Sequence, residues 1–462
     1  MNEPQQVKIK EKIGYGFGDF ASSMFWKMFS VYLMIFYTDV FGISAAAVGT
    51  MFLLTRIWDT ANDPIMGIIA DRTNSKWGKF RPYLLWGAIP FAAIGVLTFI
   101  TPSWSQDAKL IYAYVTYTLM MMAYTAVNVP YASLLGVMSS NGDDRTQLAS
   151  FRMVFAFAGS IFAFIMVDPL TNFFSHLGAV ADPQTGWALT MLVYGVIAAI
   201  LFYFTFAWTK ERISPPAAQK TNLKQDFSNL ANNKPWFILL GAVLSTLIFN
   251  SMRDGASVYY FKYYIESPEW SLFGLNFGLT TVYLVLGQAS NIIGVVLAQP
   301  ISKRIGKRNT FMYAMFMAAI LSYVFYFLTV DQLGFILLLQ VLISTCAGIV
   351  FPLIWSMYAD IADFSEYSTG RRATGLIFSS SSFAQKMGWT LGGTLTGWTL
   401  AYVGYVANAE QSELAKEGLR YMVSFIPAAG ALISGICMGF YRLKDDFMIK
   451  VNAELNIRRT GN

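Results

Sequence analysis

The feature that most limits the folds open to this chain is a series of long apolar runs separated by polar loops. They occupy residues 13–38, 44–70, 80–101, 108–138, 147–179 and 186–209, and then 236–265, 273–300, 308–330, 333–362, 374–405 and 419–443. A helix needs about 20 apolar residues to cross the hydrocarbon core of a bilayer. Charged residues make up only 13% of the 462 residues, against about 25% in soluble domains. The sequence therefore predicts an all-α polytopic membrane protein with about twelve transmembrane helices.

A polar segment divides these spans into two groups of six. This predicts an N-terminal six-helix bundle over 1–208, a cytoplasmic linker over 209–235, a C-terminal six-helix bundle over 236–443 and a cytoplasmic tail over 444–462. A similar basic stretch follows the second span of each half, at Gly67–Lys79 and at Ala298–Arg308. Repeated halves of this kind are typical of transporters built from two bundles.

The basic residues predict the orientation of the chain. They cluster in the N-terminal segment, in every second loop and in the tail, whereas the opposite loops hold few beyond Lys109 and Lys416. By the positive-inside rule both termini are cytoplasmic. The net charge of +6 is then topological, and no nucleic-acid partner is expected. We expect a multi-pass protein of the bacterial cytoplasmic (inner) membrane that functions as a monomer.

The second span carries two acids that a bilayer helix would normally exclude. Asp59, Asn62 and Asp63 are spaced i, i+3, i+4, so they share one helix face, with Thr55 one turn earlier. Carboxylates inside a span are costly unless they face water or a bound cation. Carboxylate, amide and hydroxyl oxygens suit a hard monovalent cation or a proton. The pattern predicts a cation site.

Other polar and aromatic residues lie within the spans and are candidates for binding a ligand. Thr125 and Asn128 share a face at i, i+3, Arg152 lies early in the fifth span, and Lys386 lies inside the eleventh beside Gln385. A structural ion pair between the halves is the alternative for Lys386. Aromatic planes suit the C–H faces of a sugar, and the candidate platforms are Trp26, Tyr124, Tyr131, Phe351, Trp355 and Trp389. Asp19 is interpreted as helix-end structure, and Lys27 receives no role.

Charged residues in two cytoplasmic segments suggest a gate. The segment Ala359–Arg372 is interpreted as a long turn that forms salt bridges with the loop Asp71–Arg81 only when the cytoplasmic side is closed. The residues proposed for this gate are Asp71, Arg72, Lys79, Asp360, Asp363, Glu366, Arg371 and Arg372.

Several ordered motifs resemble those of a known family almost from end to end. They include Gly14–Asp19, Phe36–Val40, Arg56–Pro64, Ser75–Pro82, Asp360–Tyr367 and Gly404–Val406. The chain resembles the glycoside-pentoside-hexuronide:cation symporters, the melibiose-permease branch of the major facilitator superfamily. The resemblance implies two six-helix bundles, one central sugar site and coupling to Na⁺ or H⁺, with no other cofactor. It implies a cation site at Asp59, Asn62, Asp63 and Thr125, and a sugar site formed by Ser23, Trp26, Asn128, Tyr131, Arg152, Trp355, Gln385, Lys386 and Trp389.

Two departures from the melibiose permeases bear on the substrate. Ser23 and Asn128 stand where those proteins have acids that hold a galactoside, and Ala132 stands where they have tryptophan. Galactoside specificity should therefore not carry over, and a pentoside or a short plant-derived glycoside is favoured. The amide of Asn62 favours Na⁺, because its oxygen completes a cation cage that a proton would not need. Both Na⁺ and H⁺ stay open.

The expected mechanism is coupled alternating access. The cation neutralises Asp59 and Asp63, orders the fourth span through Thr125 and so positions Asn128 for the sugar, each ligand raising affinity for the other. An uncoupled facilitator or an exporter of the same fold is the first alternative. A remote alternative is an enzyme resembling intramembrane prenyltransferases, because Asp59/Asp63 and Asp360/Asp363/Glu366 resemble paired acidic motifs.

Overall fold

The first half of the chain folds into six long helices. The computed structural model describes residues 7–139, 142–178, 180–212, 232–266, 270–272, 275–370 and 374–460. Helix α1 (Ile9–Lys27) continues through the π-helical segments Met28–Tyr32 and Phe36–Phe41, with an α-helical turn at Leu33–Ile35 between them. It is followed by α2 (Ala45–Arg72), α3 (Arg81–Thr98), α4 (Gln106–Met138), α5 (Gly142–Ser175) and α6 (Pro183–Trp208).

The second half contains the remaining helices and a small ribbon. They are α7 (Lys234–Tyr260, continued by the π-helical segment Phe261–Ile265), α8 (Leu279–Ile305), α9 (Lys307–Phe325), α10 (Leu333–Thr369, preceded by the 3-10 turn Val330–Gln332), α11 (Thr374–Tyr402), α12 (Glu413–Val423), α13 (Phe425–Phe440) and α14 (Asp445–Thr460). Strands β1 (Trp270–Leu272) and β2 (Leu275–Phe277) form an antiparallel ribbon in which Trp270 pairs with Phe277. Each of the twelve predicted runs overlaps one of α1 to α11 or the α12–α13 pair.

Local sequence signals fix several helix starts. The side chains of Ser44, Asp182 and Asn233 accept hydrogen bonds from the backbone N–H groups of the first turns of α2, α6 and α7. Pro183 and Pro235 follow two of these caps, where the fixed φ of proline favours a first helical turn. The caps satisfy amide groups that a helix end leaves without intrahelical acceptors.

The described helices divide into two compact units. Unit 1 comprises Met1–Ala217, Ser267–Val285 and Val406–Ala409, and unit 2 comprises Ala218–Glu266, Leu286–Tyr405 and Glu410–Asn462. In the described part of the chain, 7 helical segments are long and apolar enough to cross a membrane. They are α4, α5, α6, α7, α8, α10 and the α12–α13 pair.

The same neighbour pattern occurs in both units. In unit 1, α1 packs against α5 and α6, and α3 packs against α4 and α6. In unit 2, α7 packs against α11 and α13, and α9 packs against α10 and α13. Helices α7 and α9 of the second half therefore have neighbours that correspond to those of α1 and α3, with α13 in the place of α6. The weak repeat in the basic loops matches a repeat in helix packing.

Residues 359–369 of the segment interpreted as a long cytoplasmic turn are helical, so that part of the sequence interpretation is wrong. Helix α10 runs without a break to Thr369 and ends at Gly370, whose φ is +71°. Its acids did not stop the helix because residues 353–369 contain neither proline nor glycine, and Gly370 supplies the left-handed cap. The tail also folds as a helix, α14, which packs against α10 and buries Met448, Val451 and Leu455.

Gly159 sets the close approach of α5 to α1. A Cβ built there would lie 2.3 Å from the carbonyl oxygen of Phe20. We expect Gly159→Ala to push the two helices apart and to cost about 1–3 kcal/mol, lowering the melting temperature of the purified protein. Gly136→Ala in α4 is the matched control, because a Cβ there meets nothing within 4 Å. Equal melting temperatures for the two variants would contradict this assignment.

Candidate functional site

The predicted acidic cluster is brought together with Thr125 in unit 1. The Thr125 Oγ1 lies 3.1 Å from Asp59 Oδ1 and 2.9 Å from Asp63 Oδ1, which joins α4 to α2 at this point. Asp59 and Thr125 are each 1% exposed. The i, i+4 spacing therefore places both carboxylates on one face of α2, as the sequence predicted, and this face meets α4. The sequence did not show that one hydroxyl would contact both acids.

In this contact a single hydroxyl proton faces two carboxylate oxygens. A threonine hydroxyl has one proton, so Thr125 can donate to only one of the two carboxylate oxygens. The other oxygen stays within hydrogen-bond distance of the hydroxyl oxygen and receives no proton from it. A proton on a carboxylate, or a small cation among the three oxygens, would reduce the repulsion between the two carboxylates. The oxygen set fits either a proton or a hard monovalent ion.

Arg56 is a member of this cluster that the sequence reading did not assign. Its Nη1 lies 2.5 Å from Asp59 Oδ2, and the two side chains are 5% and 2% exposed. Its guanidinium carbon also lies 5.9 Å from the centre of the Trp26 ring. The signal was present, because Arg56 precedes Asp59 by three residues on one helix. Arg56, Asp59 and Asp63 together carry one net negative charge.

Two further polar groups lie on α2 near the cluster in sequence. Asn62 Nδ2 and Thr55 Oγ1 are buried, and neither has a hydrogen-bond partner within the part of the chain that the structure describes. Buried polar atoms normally have partners. An amide turned by 180° would exchange this nitrogen for an oxygen, which could serve as a ligand to a cation.

A second charged group joins α1 to α5. Arg152 forms a salt bridge with Asp19, through Nε to Oδ2 and through Nη2 to Oδ1 at 3.4 Å. Asp19 lies in the middle of α1 rather than at its end, so its interpretation as helix-end structure is wrong. Tyr131 stacks beneath the guanidinium at 5.0 Å and donates its hydroxyl to the Tyr15 carbonyl oxygen at 2.6 Å. The stacked Tyr131 ring thus helps to hold the Arg152 guanidinium in position.

Asn128 connects α4 to α1 close to these groups in sequence. Its Oδ1 accepts a hydrogen bond from Ser22 Oγ at 2.8 Å, and its Nδ2 donates to the Tyr124 carbonyl oxygen at 3.1 Å. The predicted residue Ser23 is half-buried beside Ser22. The Trp26 ring lies 5.5 Å from that of Tyr124. Asp19, Ser22, Ser23 and Trp26 follow one side of α1, which therefore carries charge, hydroxyl and aromatic groups together.

The other predicted sugar ligands belong to unit 2. Trp355 lies in α10, is 45% exposed and contacts Tyr358 with ring centres 6.2 Å apart. Gln385, Lys386 and Trp389 lie in α11 and are half-buried. The carbonyl oxygen of Trp389 accepts a hydrogen bond from Ser251 Oγ of α7 at 2.8 Å, which fixes this part of α11. Gln385 Nε2 is buried without a hydrogen-bond partner among the described residues.

Two of the residues proposed as a gate, Lys79 and Asp360, have partners within their own units. Asp360 forms a salt bridge with Lys307 at 2.6 Å in unit 2. In unit 1 the backbone N–H of Lys79 donates to Glu211 at 2.7 Å, and the N–H groups of Phe80 and Arg81 donate to the same carboxylate. Arg72 is exposed, and Asp363 and Glu366 are half-buried in α10. Arg371, Arg372 and the side chain of Asp71 lie outside the described residues.

The fold and these groups together define a class of protein. Helical spans repeated in two units, with buried acids and a buried arginine in the helices, are typical of a membrane transporter that binds an ion and a polar solute. The chain matches the family described as MFS/sugar transport protein over residues 14–445, and it belongs to that family. The predictions of the major facilitator fold and of a transporter are confirmed, and the enzyme alternative is wrong.

Individual relatives support the same conclusion. The chain is 34% identical to the candidate glycoside/cation symporter YagG of Escherichia coli (strain K12), over 97% of this chain and 95% of that protein. It is 36% identical to the isoprimeverose transporter of Lactiplantibacillus pentosus, over 97% and 91%. The crystal structure of the nucleoside transporter NupG is similar in fold, with a TM-score of 0.66 at 14% identity, over 94% of this chain and 100% of that one. The predicted resemblance to the glycoside-pentoside-hexuronide:cation symporters is confirmed.

Proposed function

We propose that this sugar transporter couples the movement of a glycoside or pentoside to one monovalent cation bound at Asp59, Asn62, Asp63 and Thr125. The observation that supports the proposal is the contact of the single Thr125 hydroxyl with both carboxylates, at 3.1 and 2.9 Å. A cation or proton in this cluster would offset the repulsion between the two carboxylates, which the single hydroxyl proton can do for only one of them. The net charge of Arg56, Asp59 and Asp63 suits one monovalent ion.

Na⁺ is the ion that we favour. The cluster offers oxygen atoms of two carboxylates and one hydroxyl, and Asn62 adds an amide on the same helix face. Hard cations prefer oxygen ligands of these kinds. A proton would need only one of the carboxylates, and the amide would then have no role. H⁺ coupling is the second candidate, and both ions are tested below.

The sugar is proposed to bind beside Arg152, Asn128 and Trp26. An arginine held by Asp19 presents several N–H donors in fixed directions to sugar hydroxyls. The aromatic ring offers a plane for the apolar C–H face. Because Ser23 and Asn128 stand where the melibiose permeases have acids that hold a galactoside, a pentoside or short glycoside is favoured over a galactoside. The isoprimeverose transporter among the relatives agrees with this substrate class.

Coupling is proposed to pass along α4. Thr125 contacts the acids of α2, and Asn128, one turn later on the same face, contacts Ser22 of α1. A cation that fixes Thr125 therefore also fixes the helix turn that carries Asn128. By linkage, each ligand then raises the affinity for the other by the same factor. Lys386, Gln385, Trp389, Trp355 and Tyr131 are proposed to complete or support the sugar site.

The remaining assignments follow from the sequence and are part of the proposal. The protein functions as a monomer in a bacterial inner membrane, with both termini cytoplasmic by the positive-inside rule. The bundles comprise 1–208 and 236–443. Charged residues at the cytoplasmic ends, among them Arg72, Lys79, Asp363 and Glu366, act as a gate during alternating access.

Radiolabelled uptake into proteoliposomes tests the proposed function. Pentosides, xylosides, isoprimeverose, glucuronides and galactosides would each be supplied with an imposed Na⁺ gradient, a pH gradient or neither. We expect accumulation above equilibrium for a pentoside or short glycoside under the Na⁺ gradient alone. Accumulation under the pH gradient alone would assign H⁺ instead. Equilibration that ignores both gradients would make the protein an uncoupled facilitator and would contradict the proposal.

Arg56→Gln should remove the positive charge that lies beside Asp59 in the proposed cation site. Arg56 neutralises Asp59, so its removal should raise the affinity for the coupling cation by at least about tenfold and slow cation release. Initial uptake rates measured over a range of cation concentrations would report both effects. Arg56→Lys keeps the charge and should leave the cation affinity close to that of the wild type. An unchanged cation dependence in Arg56→Gln would show that Arg56 does not compete for the site.

A further inference from the structure

A separate cavity lies at one end of unit 2, and none of the residues proposed to bind the sugar or the cation lines it. Its volume is about 780 Å³, and its walls include Ile238, Phe440, Leu443 and Phe447, with Lys234 and Arg442 among the polar groups. This volume is within the range of sites that hold small amphiphiles, about 300–1,000 Å³. The ten residues that line it include no acid. An apolar chamber with two cations suits a ligand that is both anionic and apolar.

The two cations lie where helices leave the apolar region. Lys234 is the first residue of α7, and Arg442 follows the end of α13 at Phe440 by two residues. Both are exposed. Ile238 lies one turn into α7, so the apolar wall continues inward from the charged rim. This order of charge outside and apolar surface inside matches the order of headgroup and acyl chain in a lipid leaflet.

The two acids that follow Arg442 most closely in sequence make contacts outside this cavity. Asp445, at the start of α14, accepts a hydrogen bond from the backbone N–H of Lys307 at 2.9 Å, and Asp446 lies next to it in the wall of a different cavity. Residues 213–231, which precede α7 in the sequence, carry Lys220 and Lys224 against the single acid Asp226. The linker is therefore a poor match for a basic rim, whereas a phosphate group is a good one.

We propose that this cavity binds one anionic phospholipid. The phosphate lies between Lys234 and Arg442, and an acyl chain lies along Ile238, Phe440 and Phe447. Phe447 belongs to the tail helix α14 and contacts Phe364 of α10, with ring centres 6.2 Å apart. The lipid therefore also fastens the tail helix to the end of α10. The site does not depend on the identity of the transported sugar or cation.

A native cysteine can report whether this cavity is occupied. The chain has 2 cysteines, Cys346 in α10 and Cys437, and Cys437 lines this cavity. In a Cys346→Ala background, purified in an uncharged detergent, the rate of Cys437 alkylation by a small maleimide would be measured. Phosphatidylglycerol, phosphatidylcholine and inorganic phosphate would each be titrated. Denatured protein gives the rate for a fully accessible thiol.

Phosphatidylglycerol should slow alkylation about tenfold at ten times its Kd, while phosphatidylcholine and inorganic phosphate should change it little. Lys234→Gln/Arg442→Gln should abolish the protection. Lys303→Gln/Arg304→Gln removes the same charge from the last turn of α8 and should leave the protection intact. Equal protection by both lipids, protection by phosphate alone, or loss of protection in both double variants would overturn the proposal. So would a thiol that is unreactive before any lipid is added, since a segment of the chain would then fill the cavity.

Discussion

Asp63→Asn should abolish the accumulation of sugar against its gradient while leaving the protein able to equilibrate sugar across the membrane. The substitution keeps the shape of the side chain but removes one of the two charges that contact Thr125. Without that charge the cation gains little by entering the site, so its gradient can no longer drive the sugar. We expect the gradient-driven initial rate to fall by about 100-fold, or about 2.7 kcal/mol.

Proteoliposome uptake with and without the imposed cation gradient measures this effect directly. Asp107→Asn is the matched control, because Asp107 is an exposed carboxylate in the first turn of α4 and its loss should change neither rate. Downhill uptake separates loss of coupling from loss of fold, since a misfolded protein would show neither activity. Wild-type accumulation in Asp63→Asn would refute the assignment of the coupling site to this cluster.

Arg152→Gln should remove sugar binding and also weaken the fold. Arg152 and Asp19 form a salt bridge with side chains 31% and 13% exposed, so loss of the arginine leaves a carboxylate without its counter-charge inside the helices. Breaking a buried pair costs about 3–5 kcal/mol, and this half-buried pair should cost less, about 1–3 kcal/mol. Sugar affinity should fall by at least about 100-fold, because the N–H donors proposed to bind the sugar hydroxyl groups are lost.

The double variant Asp19→Asn/Arg152→Gln separates the two effects. It removes both charges, so the melting temperature should recover toward that of the wild type while sugar binding stays lost. Lys416→Gln breaks an exposed pair with Glu413 and serves as the control for charge removal, with no expected change in binding. Recovery of sugar binding in the double variant would show that Arg152 acts only on stability.

The sequence predicted the spans and their grouping because burial in a membrane requires long apolar runs, and these are visible in the local composition. A helix in hydrocarbon must satisfy its own backbone, so long apolar runs can fold in few ways. The same reasoning located Asp59 and Asp63, since charge in such a run is costly and helical spacing puts both on one face. It misjudged the C-terminal end of α10, because charged residues do not stop a helix when no proline or glycine intervenes.

The partners of the charged residues were decided only by the tertiary structure. Asp19 and Arg152 are separated by 133 residues, and no periodicity relates them; the packing of α1 against α5 brings them together. The contact between Thr125 and both acids of α2 likewise depends on how α4 packs. Arg56 and Asp59 are neighbours on one helix, but their pairing depends on a buried surrounding in which water cannot compete. The sequence thus determined which spans carry charged residues, and helix packing determined which of these residues contact one another.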